Sequence, residues 1–166
     1  MVGTITIWIS FILSIFLTIA YFVAGKTDGR LKRFLQFFYY TLPSMLLIAS
    51  AYLMINIINH NYQFTYIWSY SNNSLPLHIL VTSFFSGQEG SFLLWAVLTS
   101  IFALAVRKYA RKYGYEELVM GIFGLVLIYL TLMLILKDPF TYIWKSFPDE
   151  HLPINFMPPD GRGLNP

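Results

Sequence analysis

The sequence contains no cysteine, which excludes a disulfide framework, a thiolate metal site and a thiol nucleophile at once. Charge is scarce as well. Charged residues make up 11% of the 166 positions and apolar ones 57%, whereas soluble domains carry about 25% charged residues. A surface so poor in charge cannot face water throughout, so the solvent that matches this composition is lipid. The same apolar content rules out disorder. The net charge of +3 is small and gives no reason to expect nucleic acid as a partner. In a membrane protein the placement of charge matters more than its sum. Aromatics are abundant, with 15 Phe, 12 Tyr and 4 Trp.

A bilayer core about 30 Å thick is crossed by roughly 20 apolar helical residues. Four stretches free of Asp, Glu, Lys and Arg qualify: Val2 to Ala24, Phe34 to Ile58, Gly90 to Val106 and Leu118 to Leu136. The chain is therefore expected to be all-α, a polytopic membrane protein with a four-helix transmembrane domain over residues 1–136. The third stretch is the shortest, and its helix begins a turn earlier or lies tilted. Pro43 removes one backbone donor inside the second span and predicts a kink, with Ser44 placed to compensate. No basic residue precedes the first span, and its apolar run far exceeds the 15 or so residues of a signal peptide, so it reads as a retained helix.

Basic residues cluster in two short connections. Lys26, Arg30, Lys32 and Arg33 lie between the first and second spans, and Arg107, Lys108, Arg111 and Lys112 between the third and fourth. Residues 59–89 contain no Lys or Arg, and only Lys137, Lys145 and Arg162 follow the last span. By the positive-inside rule both termini and the long second loop are expected on the outer face.

That loop, residues 59–89, is long enough to require its own structure. Tyr62, Phe64, Tyr66, Trp68 and Tyr70 alternate in it, a spacing that predicts an extended segment with one aromatic face. The face suits either an interfacial aromatic belt or a platform for a ligand. A turn-forming run follows, Ser71-Asn72-Asn73-Ser74, and then the apolar stretch Leu77 to Phe85, too short to cross and expected along the membrane surface. His78 in that stretch reads mainly as an interfacial side chain and only weakly as a metal or haem ligand, since nothing nearby offers a second ligand at useful spacing.

Gly87-Gln88-Glu89-Gly90-Ser91-Phe92-Leu93-Leu94-Trp95 is the most informative local run. Glu89 is the only carboxylate between Asp28 and Glu116, and it directly precedes an apolar span. It can serve as a helix-terminal anion, helped by Ser91. It can equally be a functional acid, since an acid at a membrane edge is costly and the flanking glycines allow close backbone approach. The tail, residues 137–166, is rich in proline and cannot form a fifth spanning helix. It reads as an extended connector, or as an ordered turn at Asp160-Gly161 with Arg162 facing an anion.

Four runs in order, Ser71-Asn72-Asn73-Ser74-Leu75-Pro76, then Gly87 to Trp95, then Asp138-Pro139-Phe140, and finally Asp160-Gly161-Arg162-Gly163-Leu164-Asn165-Pro166, resemble the N-terminal part of CcmF-type cytochrome c haem lyases. These belong to a haem-handling family that includes CcsA-type synthetases. The resemblance implies attachment of haem to Cys-x-x-Cys-His segments of apocytochrome c on the outer side of a bacterial inner membrane or of an organelle membrane of bacterial descent. Haem would be received from the chaperone CcmE. It also implies that Gly87, Gln88, Glu89, Gly90, Ser91, Trp95, Trp68, Arg162 and Asn165 lie in or near the haem-handling region, with Arg162 suited by sign to a propionate and Glu89 to fixing loop geometry.

Departures from the family pattern are equally plain. The tryptophan-rich segment ending Trp-x-Trp-Asp is absent, no span carries a histidine, Gln88 stands where many relatives have His, and relatives are several times longer. The chain is accordingly expected to be one piece of a split lyase or a truncated one, inactive alone and completed by the remaining part of the enzyme. A non-catalytic four-helix scaffold or assembly factor is the alternative. A channel or transporter is disfavoured because the spans lack the ionisable residues that line such paths.

Overall fold

The structure, a computed structural model, describes residues 2–23 and 29–147. Seven helices occur among them: α1 (Val2–Val23), α2 (Gly29–Ile58), α3 (Thr65–Tyr70), α4 (Leu77–Thr82), α5 (Gln88–Lys112), α6 (Glu116–Leu136) and α7 (Ile143–Ser146), with a short 3-10 turn at Ser83–Phe85. No strand is present among the described residues beyond an isolated bridge between Phe64 and Tyr142. Four helices, α1, α2, α5 and α6, are long and apolar enough to cross a membrane.

These four close a ring in which α1 packs between α2 and α6, and α5 packs against the same two from the other side. Two helices run past the charge-free stretches that mark them in the sequence. Helix α2 begins at Gly29 rather than Phe34, and α5 spans Gln88 to Lys112 rather than Gly90 to Val106. Basic residues are good helix formers whose long apolar stems can lie along a helix while the charge reaches outward, so a charged residue ends an apolar run without ending the helix.

The distribution of side chains on α1 is the reverse of a water-soluble helix. Gly3, Thr6, Ser10, Ser14 and Thr18 are buried, while Ile5, Trp8, Ile12, Phe16 and Ile19 face outward. Small residues let helix backbones approach closely where lipid supplies no hydrophobic drive between helices. The buried hydroxyls are satisfied on their own helix: Ser10 donates to the Thr6 carbonyl at 2.8 Å and Thr18 to the Ser14 carbonyl at 2.6 Å. On α6, Gly124 abuts the Thr18 hydroxyl and Gly121 the Phe22 ring, so a methyl group at either would collide with α1.

Helix α2 continues through Pro43. The Ser44 hydroxyl donates to the Tyr40 carbonyl at 2.9 Å, so it does not serve the Tyr39 carbonyl, the one that loses its helical donor to proline.

At one end of the ring the connections are short. Helices α5 and α6 turn through Tyr113, Gly114 and Tyr115, with Gly114 at φ +77° in the left-handed region that glycine adopts without strain. At the other end residues 59–87 and 137–147 fold together into a cap. Thr65 N–H donates to the Thr141 carbonyl and Ile143 N–H to the Gln63 carbonyl, both at 2.9 Å. Phe64 stacks on Tyr142, Tyr142 on Trp144, and Phe140 lies against Tyr52. The N-terminal turn of α1 joins this end: Thr4 Oγ1 donates to Asp138 Oδ2 at 2.8 Å, and Gly3 makes room for the Phe140 ring.

Two expectations are corrected here. The alternating aromatics do not form an extended face, because residues 65–70 are helical. In a helix the partners are four apart, and Tyr66 meets Tyr70 with ring centroids 4.9 Å apart. The first part of the tail is not an extended connector either, since residues 137–147 pack into the cap and contain α7.

Candidate functional site

Tyr66 organises the cap. Its hydroxyl lies 3.0 Å from the Ser83 carbonyl and 2.9 Å from the Phe84 carbonyl, to which it donates, and it accepts from the Gly87 N–H at 3.2 Å. One phenol thus joins α3, the 3-10 turn and the start of α5. Burial pushes this phenol up to about 12, the Glu89 carboxylate adding to the rise and the Gly87 N–H opposing it.

The two glycines of the Gly87-Gln88-Glu89-Gly90 run exist for space and not for unusual backbone angles. A methyl group at Gly87 would lie 2.5 Å from the Tyr70 ring, and one at Gly90 would run into the Phe84 carbonyl and the Tyr66 hydroxyl. Gly87 is the N-cap of α5 and provides no side-chain cap. Nor does Ser91 provide one: its hydroxyl donates to the Phe85 carbonyl at 3.0 Å, tying the 3-10 turn to the helix. Glu89 stands in the first turn of α5, half-buried, where the exposed backbone donors favour an anion. It accepts no hydrogen bond from any described residue.

Glu89 opens onto a polar cleft of about 260 Å³ between α3, the start of α5 and the segment after α6. Tyr66, Tyr70, Lys137, Asp138, Thr141 and Ser146 are among the residues lining it. The Gln88-Glu89 run and the Asp138-Pro139-Phe140 run, far apart in sequence, therefore meet on one surface. Asp138 is held in place, accepting the Phe140 N–H at 2.9 Å on one oxygen and Thr4 on the other. Lys137 supplies the cation of this lining.

The remaining sequence candidates fall elsewhere. Trp68 is buried and does not line the cleft; it lies edge-on to Phe147 at 5.5 Å. Trp95 is 60% exposed on the outward face of α5. Gln88 is exposed at the helix start, and His78 is exposed on α4. Among the described residues no group of three or more His, Asp or Glu could hold a metal ion. Lys26, His151, the Asp160-Gly161 turn, Arg162 and Asn165 lie outside the described residues. Sequence reasoning passed over Tyr66 as a hub and Lys137 as a cation. The available signal was the Asp138-Pro139-Phe140 run beside Lys137, which was legible as a motif but not as a neighbour of Glu89.

The opposite end of the ring carries a second polar cluster absent from the sequence reading. Glu116 accepts Arg107 Nε at 2.8 Å and Arg111 Nε at 2.7 Å, with a further bond from Arg111 Nη2 at 2.9 Å. The Arg107 guanidinium also lies over the Tyr39 ring, 5.2 Å from its centroid, so the cluster couples α5, α6 and α2.

A ring of four long apolar helices with a folded cap over one end defines a polytopic helical membrane protein. No family model matches the chain. Over 146 residues it is 30% identical to the cytochrome c-type biogenesis protein CcmF of Haemophilus influenzae, a match covering 86% of this chain and 21% of that protein. It is also 30% identical to the Escherichia coli CcmF over 124 residues, covering 72% and 18% respectively. A solved structure titled cytochrome c heme lyase CcmF superposes with a TM-score of 0.74 at 19% identity, over 87% of this chain and 25% of that one. That likeness speaks to the fold. The chain is a homologue of the CcmF proteins and an integral membrane protein, and it spans about a fifth of the length of the curated relatives it matches.

Proposed function

We propose that the chain forms the N-terminal portion of a haem lyase that attaches haem to Cys-x-x-Cys-His segments of apocytochrome c. The capped end, the N-terminus and the tail lie on the outer face of a bacterial inner membrane or of a related organelle membrane. The remaining part of the lyase, the haem chaperone CcmE and apocytochrome c are its partners. One observation carries the reading: two of the four motif runs shared with haem lyases converge on a single cleft, where the half-buried carboxylate of Glu89 accepts no hydrogen bond from any described residue.

The cleft does not fit a haem-iron site. Its lining carries no imidazole, thiolate or thioether, and of its two phenols the Tyr66 hydroxyl is committed to the Ser83 and Phe84 carbonyls and the Gly87 N–H. On this reading iron ligation is assigned away from this cleft. Its own residues hold the cap: Tyr66 and the paired glycines fix the start of α5, Asp138 fixes the segment after α6, and Glu89 and Lys137 present opposite charges to whatever docks. Arg162, and Asn165 within the same closing run, remain proposed haem-proximal residues.

The same lining favours the second reading, a non-catalytic membrane scaffold without haem contact. Glu89→Gln in the complete lyase system separates the two. A fall in holocytochrome c yield at wild-type abundance of the chain supports the cleft, and an unchanged yield removes it. Because the chain has no cysteine, Tyr70→Cys gives a single label site. Modification by an impermeant maleimide from the outer side supports the topology, and labelling only after the membrane is breached reverses it.

A further inference from the structure

Within the helical ring, near the Arg107 cluster, lies a small cavity lined by Ser14 and Tyr21 of α1, Tyr39 and Pro43 of α2, Ser100 of α5 and Gly124 of α6, among others. Tyr21 and Tyr39 are 5% and 6% exposed, and neither hydroxyl has a hydrogen-bond partner among the described residues. The rings meet edge to face with centroids 6.1 Å apart, which places both phenols at one helix junction. A buried hydroxyl without a partner disfavours the folded state by roughly tenfold or more. Two of them lining one cavity call for a shared partner.

The chemistry of that partner follows from the lining. The Ser14 and Ser100 hydrogens are committed to the Phe11 and Val97 carbonyls, each at 2.7 Å, but their oxygens retain lone pairs. Pro43 leaves the Tyr39 carbonyl without its helical donor. Ser14, Tyr21, Tyr39 and Ser100 are the polar residues of an otherwise apolar lining that includes Leu17, Leu42, Met120 and Phe123, around a space of about 20 Å³, above the 10–15 Å³ or so that one water requires and far below the size of a lipid chain or a cofactor ring. We propose that this cavity binds one water molecule, held by the Tyr21 and Tyr39 hydroxyls and by serine oxygens, as a polar joint between α1, α2 and α5. The site is independent of the haem lyase reading.

The test uses the full chain, with its partners, in lipid nanodiscs. Tyr21→Phe and Tyr39→Phe are each expected to lower the ratio of folded to unfolded protein about fivefold, and the double variant by less than the product, because both phenols serve the same water. A neutral or stabilising effect of either substitution would mean that the hydroxyl had no partner to lose, and would overturn the proposal. Should a variant fail to insert, radiolytic labelling of the wild type decides. Hydroxyl radicals born from a bound water modify Tyr21 or Tyr39 despite their burial, whereas absence of modification at both sinks the site.

Discussion

At one end of the helical ring Glu116 sits between Arg107 and Arg111, its side chain 10% exposed. At the other, the phenol of Tyr66 sits among backbone groups of Ser83, Phe84 and Gly87, and the nearby Glu89 accepts no bond from a described residue. The first end joins two helices through a three-residue turn, and its buried carboxylate, Glu116, is matched on the spot by two arginines. The second end joins several short elements through backbone and hydroxyl hydrogen bonds, the Asp138 carboxylate and aromatic contacts. An acid with no hydrogen-bond partner among the described residues is the group this end offers to whatever docks on the cleft.

Substitutions at each end sharpen this contrast. Glu116→Gln should have the largest effect, since it leaves Arg107 buried without its counter-charge. About 3 kcal/mol of stability is expected to be lost, visible as a lowered unfolding temperature in nanodiscs. An effect near zero would mean that solvent already screens the cluster. Gly90→Ala comes next at about 1–3 kcal/mol, because its methyl group meets a backbone carbonyl and the Tyr66 hydroxyl instead of a flexible chain end. Wild-type stability of that variant would show the cap to be looser than its packing implies.

Tyr66→Phe should cost about 1–2 kcal/mol and should also change the response to alkali. The folded phenol titrates near 12, above its ordinary value of 10.0. The stability tied to the protonated hydroxyl is therefore fully present below about pH 10 and is lost as pH rises through 12. The Phe variant should lose less over that window, and parallel curves would remove Tyr66 as the hub. Smallest of all is the effect of Glu89→Gln on unfolding, within about 0.5 kcal/mol. A much larger loss would turn Glu89 into a structural residue like Glu116 and erase the difference between the two ends.

Local reading of the sequence went far on some residues and failed on others for identifiable reasons. Uninterrupted apolar runs made the four long helices legible, because crossing lipid demands length and the absence of charge within each segment. Tyr62 to Tyr70 misled, because aromatics at every second position satisfy a strand pattern over a few residues and also place Tyr66 over Tyr70 in a helix. Ser91 misled because a hydroxyl at a helix start can donate backward as easily as it can cap. Arg107 and Arg111 were legible as positive charge in a connection, while their pairing with Glu116 required the turn that folds α6 back on α5.

The amino-acid order alone determined the membrane class, the number of long helices and the runs shared with haem lyases, since each is a property of contiguous residues and their solvent. Only the tertiary structure decided that Glu89 and Lys137 line the same cleft, that Glu116 is spoken for, and that two tyrosines from different helices share one cavity. Those facts are set by how closely helix backbones approach, and that distance depends on small residues such as Gly121 and Gly124 meeting partners far away in the chain.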